Sequence, residues 1–354
     1  MCRQTPLVWL YLIGWSLGWW MLARPRPLPI SPNTGSRPAI AVIIPARNEA
    51  LSLPKLLPTV AAQLRSSDEM IVVDDHSTDG TAEVARAHGA QVVTPPEFDS
   101  AVWLGKPHAC SVGAEASSAP LLVFLDADVV ASTDLLDRLA DVLANHADSV
   151  VSAQPWHHTE RWYEQASMLG NIVSLMGTGA FTPVGPRVGS IMAFGPVLAV
   201  QRRAYMQVGG HAHPSVRRTR VEDIALARAV GSAAMFTGRP SVQFRMYPGG
   251  FRELFNGWTR NMSAGLSATP WWAAVAVGAW VWSVAGGWLT WPWAYPLTAV
   301  QLWVLGRRAG SFRWLTAALF PLAVIVFVAT VVRSVFHRLA GRSVGWKGRA
   351  LHDR

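Results

Sequence analysis

Short apolar runs alternate with segments of helical periodicity between residues 39 and 265. Four runs are short enough to be strands, and they lie at 39–44, 70–73, 91–93 and 121–125. Helices are predicted after the first three of them, at 51–64, 81–88 and 106–116. Short apolar strands joined by helices are typical of a parallel sheet that is covered on both faces. The pattern therefore predicts an α/β fold, in which ligands bind beyond the carboxyl ends of the strands.

Longer apolar segments lie towards both ends of the chain. Residues 7–22 carry no charge and are followed by Arg24 and Arg26, which favours an uncleaved membrane anchor over a signal peptide. Residues 271–306 are also uncharged, and as one helix they would measure about 50 Å against a hydrocarbon core of about 30 Å. They predict either a hairpin that turns near 292–296 or one span with an interfacial segment. Residues 314–332 predict a further span.

These segments divide the chain into five predicted parts. They are an N-terminal membrane anchor at 1–27, a linker at 28–38, a catalytic domain at 39–265, transmembrane segments at 266–335 and a basic tail at 336–354. The charges that flank the first span favour an N-terminus outside the cell, which leaves the catalytic domain in the cytoplasm. We therefore expect a multi-pass protein of the cell membrane, with the tail also on the cytoplasmic side.

Composition and charge agree with a protein in two parts. Hydrophobic residues make up 51% of the 354-residue chain, charged residues make up 15%, and tryptophan occurs 18 times. The two cysteines, Cys2 and Cys110, provide neither a disulfide framework nor a cysteine zinc site. The net charge of +9 comes from basic residues that cluster beside apolar spans. This placement favours attraction to lipid headgroups, or the ordinary positive-inside bias, over nucleic-acid binding.

Asp126 and Asp128 directly follow the predicted strand at 121–125. In an extended segment, alternate side chains lie on the same side of the chain. Two carboxylates at a strand end favour a hard divalent cation, Mg²⁺ or Mn²⁺, that keeps water and substrate phosphates as its other ligands. Such an ion would neutralise the charge on a leaving diphosphate. A solvated turn is the alternative interpretation of the pair.

Two further polar motifs lie near the ends of predicted strands. Asp74 and Asp75 follow the strand at 70–73, and helix capping explains only one acid at such a position. One of the two could accept hydrogen bonds from a uracil or a ribose. Lys106 lies at the start of the helix at 106–116, where it could reach phosphate oxygens or remain an ordinary surface lysine.

Glu222 and Asp223 open a predicted helix that continues over 224–230. Acids at a helix N-terminus commonly interact with the helix dipole. Asp223 could instead be a general base that is aimed at an acceptor hydroxyl. His211 and His213 lack the spacing of a zinc site, so they are interpreted as loop residues or as residues of the acceptor side.

Together these residues resemble the family 2 glycosyltransferases with the GT-A fold. The matching stretches follow the family's order over residues 40–260 and read VIIPARNE (42–49), VDDHSTDGT (73–81), LDAD (125–128) and VED (221–223). The resemblance implies a nucleotide-sugar donor, bound by six residues: Pro45, Arg47, Glu49, Asp75, Lys106 and Asp126. Within this site, Asp75 would contact the uracil, Asp128 would ligate Mg²⁺ or Mn²⁺, and Asp223 would be the catalytic base.

Further motifs resemble the membrane-bound branch of this family that glycosylates carotenoid acids and hydroxylated carotenoids. They read WLGKPHAC (103–110), GGHA (209–212), FRMYP (244–248) and GWTRN (257–261). Trp258 and Arg260 stand where processive relatives carry Gln-x-x-Arg-Trp, so the resemblance implies transfer of a single sugar rather than polymer synthesis. The acceptor or diphosphate side is assigned to five residues: Gly210, His211, Glu222, Trp258 and Arg260.

The resemblance thus implies an inverting enzyme that moves one sugar, expected to be glucose, from a UDP-sugar to a carotenoid acid or hydroxycarotenoid in the membrane. The amphipathic stretch at 251–262 would either hold the site at the membrane surface or simply pack as an interface helix. The alternative acceptors are polyprenyl phosphate, diacylglycerol and a hopanoid. A non-catalytic membrane scaffold with a degenerate donor-binding domain, or a nucleotidyltransferase, would belong to a different functional class.

Overall fold

The computed structural model describes residues 5–31, 36–185 and 191–340. These residues pack into two compact units. The sheet unit comprises the described residues within 26–156 and 191–244, and the helical unit comprises those within 1–25, 157–190 and 245–354. Residues 1–4 of the predicted anchor, 32–35 of the predicted linker and 341–354 of the predicted tail lie outside the described residues.

Strands of the described chain are concentrated in the sheet unit. Their bounds are β1 Ile40–Ala46, β2 Glu69–Asp74, β3 Gln91–Val93, β4 Leu121–Leu125, β5 Val129–Ala131, β6 Val150–Gln154, β7 Trp156–His157, β8 Val197–Gln201, β9 Ala233–Thr237 and β10 Val242–Phe244. Seven of them form one sheet in the order β3-β2-β1-β4-β8-β6-β9. β8 is antiparallel to β4 and β6, and the other neighbouring pairs are parallel. The mostly parallel sheet expected from the apolar runs is therefore confirmed.

Helices occur in both units. Their bounds are α1 Thr5–Met21, α2 Leu53–Ala61, α3 Thr81–Ala87, α4 Gly105–Glu115, α5 Leu135–Asn145, α6 Met168–Gly177, α7 Arg202–Gln207, α8 Glu222–Val230, α9 Phe251–Ala268, α10 Trp271–Ala285, α11 Ala294–Ala309, α12 Trp314–Ala318 and α13 Phe320–Leu339. The sheet unit holds α2 to α5, α7 and α8. Because α4 and α8 contribute Ala109 and Leu226 to the same buried cluster as Ile43 of β1, they are fixed against the sheet.

The sheet brings the ends of separate strands to one edge. β1 pairs in parallel with both β2 and β4, so the carboxyl ends of these three strands point the same way. β2 ends at Asp74 and β4 ends at Leu125. The polar segments that follow β1, β2 and β4 therefore emerge together at this edge.

The helical unit contains the apolar helices that the sequence assigned to the membrane. The uncharged stretch at 271–306 forms two helices, α10 and α11, with a short 3₁₀ turn at Gly287–Thr290 between them. The predicted span at 314–332 is divided between α12 and α13, and Pro321 at the start of α13 fits such a helix boundary, since proline has no N–H to donate. Within the described residues, one helix, Phe320–Leu339, is long and apolar enough to cross a membrane.

Two segments pack differently from the predicted domain boundaries. Residues 157–185 and 245–265 were assigned to the catalytic domain, yet they belong to the helical unit. Helix α9 packs in the helical unit through its amphipathic face, because Leu254, Trp258 and Met262 are buried at a spacing of four residues. In the predicted linker, Leu28 is buried and its carbonyl accepts a hydrogen bond of 2.9 Å from Arg138, so it packs within the sheet unit.

Candidate active site

The centre of the site is an ammonium group between two carboxylates. Lys106 Nζ lies 2.8 Å from Asp126 Oδ1 and 2.8 Å from Glu222 Oε1. Burial by itself would lower the pKa of Lys106, but the two carboxylates outweigh it and hold that pKa well above its ordinary value. The lysine is therefore a permanent positive charge at the carboxyl edge of the sheet.

Three separate elements position these groups. Asp126 follows β4, and its backbone N–H donates to Pro196 O at 3.0 Å. Lys106 lies in the first turn of α4, and the residue before that helix, Leu104, donates its N–H to Arg217 O at 2.8 Å. Glu222 is the first residue of α8, and only 5% of it is exposed. Since Glu222 is buried, its contact with Lys106 supplies the countercharge that a buried carboxylate requires.

Asp223 lies beside this cluster and has the properties of a base. It is half-buried at the start of α8. Burial raises the pKa of Asp223 to about 7, with the Glu222 and Asp126 carboxylates adding to the effect and Lys106 opposing it. An acid with a pKa near neutrality is well matched to proton transfer at neutral pH. The raised pKa is compatible with the role of base assigned to Asp223, and that role stays a prediction.

The loops after β1 and β2 are held together by short hydrogen bonds. Arg47 Nη1 donates to Asp75 O at 2.7 Å and lies 3.5 Å from Asp75 Oδ2. The Asn48 side chain accepts from Thr78 N at 2.8 Å, and Glu49 N donates to Thr81 Oγ1 at 2.8 Å. Asp75 is only 4% exposed. These hydrogen bonds fix the two loops to each other, and the donor-binding role assigned to Arg47, Glu49 and Asp75 stays a prediction.

Pro45 lies within β1 rather than in the loop that follows it. It pairs with Val73 of β2 and is half-buried. Its ring has no N–H to donate and fixes φ at a position two residues before Arg47. The donor-binding role assigned to Pro45 stays a prediction.

Asp128 differs from Asp126 in its surroundings. Asp128 is exposed, whereas Asp126 is half-buried. Desolvation of its carboxyl oxygens raises the pKa of Asp128, and the carboxylates of Asp126 and Glu49 raise it further. Carboxylates that destabilise one another's charged forms favour binding of a cation between them.

These carboxylates fit a divalent ion that shares its coordination with substrate. Within 5–31, 36–185 and 191–340, no group of three or more His, Cys, Asp and Glu side chains converges to hold a metal by itself. Mg²⁺ is commonly held by one or two carboxylates, with water and substrate phosphates as the remaining ligands. Asp126 and Asp128 provide such a partial ligand set.

Gly210 and His211 lie in the core of the sheet unit. His211 is buried, the Tyr205 hydroxyl and the His211 Nδ1 are hydrogen-bonded at 3.0 Å, and the His211 ring packs against Phe124. Burial, with Lys106 nearby, lowers the pKa of His211 to about 3, so its ring is neutral. A Cβ at Gly210 would lie 2.1 Å from the Tyr205 ring, so only glycine fits there. Their acceptor-side assignment stays a prediction, and the observed contacts are structural.

Trp258 and Arg260 belong to α9 in the helical unit. The Trp258 indole is buried, and its Nε1 donates to Ser167 Oγ at 2.9 Å. Its ring also contacts Tyr247, which receives a hydrogen bond from Asn261. Arg260 is half-exposed. The GWTRN motif therefore has a packing role in this unit, and its assignment to the acceptor or diphosphate side remains a prediction.

Two features of the site were not recognised from the sequence. The pairing of Lys106 with Glu222 joins residues that are distant in the chain, and no local pattern indicates it. The role of Tyr205 as partner of His211 was also missed, although a tyrosine shortly before a Gly-Gly-His motif is a visible signal.

A model of the family described as glycosyl transferase family 2 matches residues 41–206. The 4,4'-diaponeurosporenoate glycosyltransferase of Staphylococcus haemolyticus (strain JCSC1435) is 32% identical over 341 residues, covering 88% of both chains. The enzyme of that name from Staphylococcus aureus (strain USA300) is 33% identical over 334 residues, again covering 88% of both. This chain belongs to glycosyl transferase family 2. The enzyme class predicted from the ordered motifs is thereby confirmed.

A solved structure supports the fold of this glycosyltransferase. The mannosyltransferase PcManGT from Pyrobaculum calidifontis, determined in complex with GDP-Man and Mn²⁺, superposes with a TM-score of 0.57 at 18% identity. The match covers 94% of this chain and 96% of that one. Together with the observed sheet order, it confirms the predicted α/β GT-A fold.

Proposed function

We propose that this family 2 glycosyltransferase moves one hexose, expected to be glucose, from a UDP-sugar to a carotenoid acid or hydroxycarotenoid in the membrane, with inversion. The observation that carries the proposal is the cluster in which Lys106 contacts Asp126 and Glu222 beside the basic carboxylate of Asp223. The acceptor class is supported by the names of the relatives at 32% and 33% identity.

The donor side of the proposal rests on the carboxyl edge of the sheet. We assign the uracil to Asp75, with Pro45, Arg47 and Glu49 shaping the loops around the nucleotide. The Lys106 ammonium has three N–H donors, two directed at carboxylates, and we assign the third to a phosphate oxygen. A divalent ion held by Asp126 and Asp128 would supply neutralisation of the charge that develops on the diphosphate.

The reaction we propose is a single displacement. The acceptor oxygen forms a bond to the anomeric carbon while the bond from that carbon to the diphosphate oxygen breaks, and the diphosphate leaves with the electron pair. When the acceptor is a hydroxyl, its proton passes to Asp223, whose raised pKa makes it an effective base. A carboxylic acid acceptor arrives largely ionised, so it depends less on this proton transfer.

The membrane is proposed as the source of the acceptor. Large apolar side chains of the helical unit are exposed, and they include Trp271, Ile325 and Leu339, which are 79%, 64% and 83% accessible. An apolar surface of this kind is typical of contact with lipid. We propose a multi-pass protein of the cell membrane with the sheet unit in the cytoplasm. No nucleic acid is expected as a partner.

Reconstitution tests this function directly. The full chain is placed in phospholipid nanodiscs with Mn²⁺ and labelled UDP-glucose, with and without a carotenoid acid in the bilayer. We expect labelled glycolipid and free UDP only when the acceptor is present. Label on polyprenyl phosphate, diacylglycerol or a hopanoid instead would replace the proposed acceptor. Donor binding without turnover on any acceptor would favour the scaffold interpretation and contradict the enzyme proposal.

A further inference from the structure

A side chain at position 195 would point towards Asp223 and Lys106 of the candidate active site. Gly195 lies just before β8, and a Cβ built on its backbone would be 3.3 Å from Asp223 Oδ2 and 3.3 Å from Lys106 Nζ. Apart from Gly195 and its two chain neighbours, the three heavy atoms nearest to that Cβ position all belong to these two side chains. No other glycine of the described chain faces both groups in this way. The space that the absent side chain leaves open is therefore part of the site.

The backbone around Gly195 is fixed on both sides. Phe194 N donates to the buried Ser152 Oγ at 2.7 Å, and the same hydroxyl donates to Phe194 O at 3.1 Å. On the other side, Pro196 O accepts from Asp126 N at 3.0 Å. A larger residue at 195 could therefore not relax by moving the chain, and its side chain would enter the site.

Backbone conformation does not explain the glycine. Gly195 is not among the described residues with positive φ, so an alanine would adopt the same backbone without strain. A methyl group at 3.3 Å from two polar atoms is closer than an ordinary van der Waals contact. The reason for glycine at this position is consequently the space between Asp223 and Lys106.

Building on the proposed function, we infer that Gly195 is a specificity-determining residue that leaves room for the transferred sugar. In a displacement with the acceptor at Asp223 and the diphosphate at Lys106, the anomeric carbon must pass between these two groups. Asp223 Oδ2 and Lys106 Nζ each lie 3.3 Å from the Cβ position of Gly195, so these two atoms are separated by no more than twice that distance. A side chain there competes with the sugar ring and not with the nucleotide.

Comparison of two ligands isolates this effect. Binding of UDP and of UDP-glucose, each with Mn²⁺, is measured by calorimetry for the wild type, Gly195→Ala and Gly195→Val. We expect UDP affinity to stay within about twofold in all three proteins. The Kd for UDP-glucose should rise at least tenfold in Gly195→Val, a loss of about 1.4 kcal/mol. Transfer to the membrane acceptor should fall about tenfold in Gly195→Ala and further in Gly195→Val.

Gly278→Ala provides the matched control. It lies in α10, and apart from the neighbouring backbone of that helix no atom lies within 4 Å of its Cβ position, so both affinities and the turnover should be unchanged. Thermal unfolding is recorded for every variant, and Gly195→Ala carries the test if Gly195→Val does not fold. Equal affinity of Gly195→Ala and wild type for UDP-glucose, together with equal turnover, would overturn the inference.

The outcomes separate this inference from the proposed function. If the wild type itself neither binds nor transfers any UDP-sugar, the proposed function fails, and the inference fails with it. If the wild type binds and transfers but the Gly195 variants match it, only the inference fails. A parallel loss of UDP and UDP-glucose binding in Gly195→Ala would also contradict it, because the side chain would then act on the nucleotide.

Discussion

Replacement of Lys106 by methionine removes the ammonium that lies 2.8 Å from both Asp126 Oδ1 and Glu222 Oε1. At this distance one ion pair amounts to about 1.5 kcal/mol in water and about 6 kcal/mol at an effective dielectric constant of about 20. The Lys106 and Asp126 side chains are each 28% exposed, and Glu222 is 6% exposed. Solvent screens Lys106 and Asp126, so the net effect should lie near the lower of these two values. We expect Lys106→Met to reduce the free energy of unfolding by about 2–3 kcal/mol.

Thermal unfolding of the full chain in detergent measures this loss. For a unit of this size, about 1 kcal/mol corresponds to about 2–4 °C, so a loss of about 2–3 kcal/mol in Lys106→Met should lower the Tm by about 4–12 °C. Most of the cost comes from leaving the buried Glu222 carboxylate without its countercharge. The double variant Lys106→Met/Glu222→Gln should therefore be more stable than Lys106→Met alone. Lys55→Met, which removes an exposed lysine of α2, is the control and should unfold like the wild type.

Two results would refute this reasoning. The first is a Tm for Lys106→Met within about 1 °C of the wild-type value, which would mean that the three groups are not coupled. The second is a double variant that is no more stable than the single one, which would place the cost of the substitution in lost packing. Hydrogen exchange in α8 gives an independent reading, since exchange should increase there when Glu222 loses its partner.

The remaining predictions concern catalysis and packing. Asp223→Asn should abolish transfer to a hydroxyl acceptor but only weaken transfer to a carboxylate, and equal losses in product on both would reject the role of Asp223 as a base. Burial raises the pKa of Asp223 to about 7, so this base becomes protonated as the pH falls below 7. The wild-type kcat with a hydroxyl acceptor should therefore fall about tenfold per pH unit below pH 7. A flat pH profile of kcat from pH 5.5 to 8 would contradict this prediction. Asp128→Asn should weaken Mn²⁺ binding at least tenfold by calorimetry while UDP binding without metal persists, so unchanged Mn²⁺ affinity would exclude Asp128 as a ligand. Trp258→Phe removes the hydrogen bond to Ser167 Oγ and should lower the free energy of unfolding by about 1 kcal/mol. Turnover per folded enzyme should be retained. Lost turnover at unchanged stability would indicate that Trp258 acts directly in the reaction.

Much of the sheet was predictable because its signals are local. β3 and β4 begin and end at the predicted residues, 91–93 and 121–125, since each is a short apolar run between polar segments. Helix α2 is shorter than predicted, and it is confined to the segment that carries the buried positions Leu53, Leu56, Leu57 and Val60. Periodicity identified the element, and tertiary packing set its limits.

The site was predictable only in part, since its residue types are local and its contacts are not. Asp126, Lys106 and Asp223 were identified from their positions at the ends of strands and helices. The contact between Lys106 and Glu222 depends on how α4 and α8 pack, which no segment of sequence specifies alone. The burial of His211 was also not predicted, because the Gly-rich sequence around it gives no local signal of a core position, and its hydrogen bond to Tyr205 depends on tertiary packing.

Mass spectrometry of lipid extracts tests the central claim most directly. Cells that supply a carotenoid acid and express either the wild type or Asp128→Asn are fed labelled glucose, and the carotenoid fraction is analysed. The account predicts a carotenoid whose mass has increased by one labelled hexose in wild-type cells and a strong reduction of that species with Asp128→Asn. A carotenoid fraction that is identical in the two strains, or one that carries a chain of several hexoses, would contradict it.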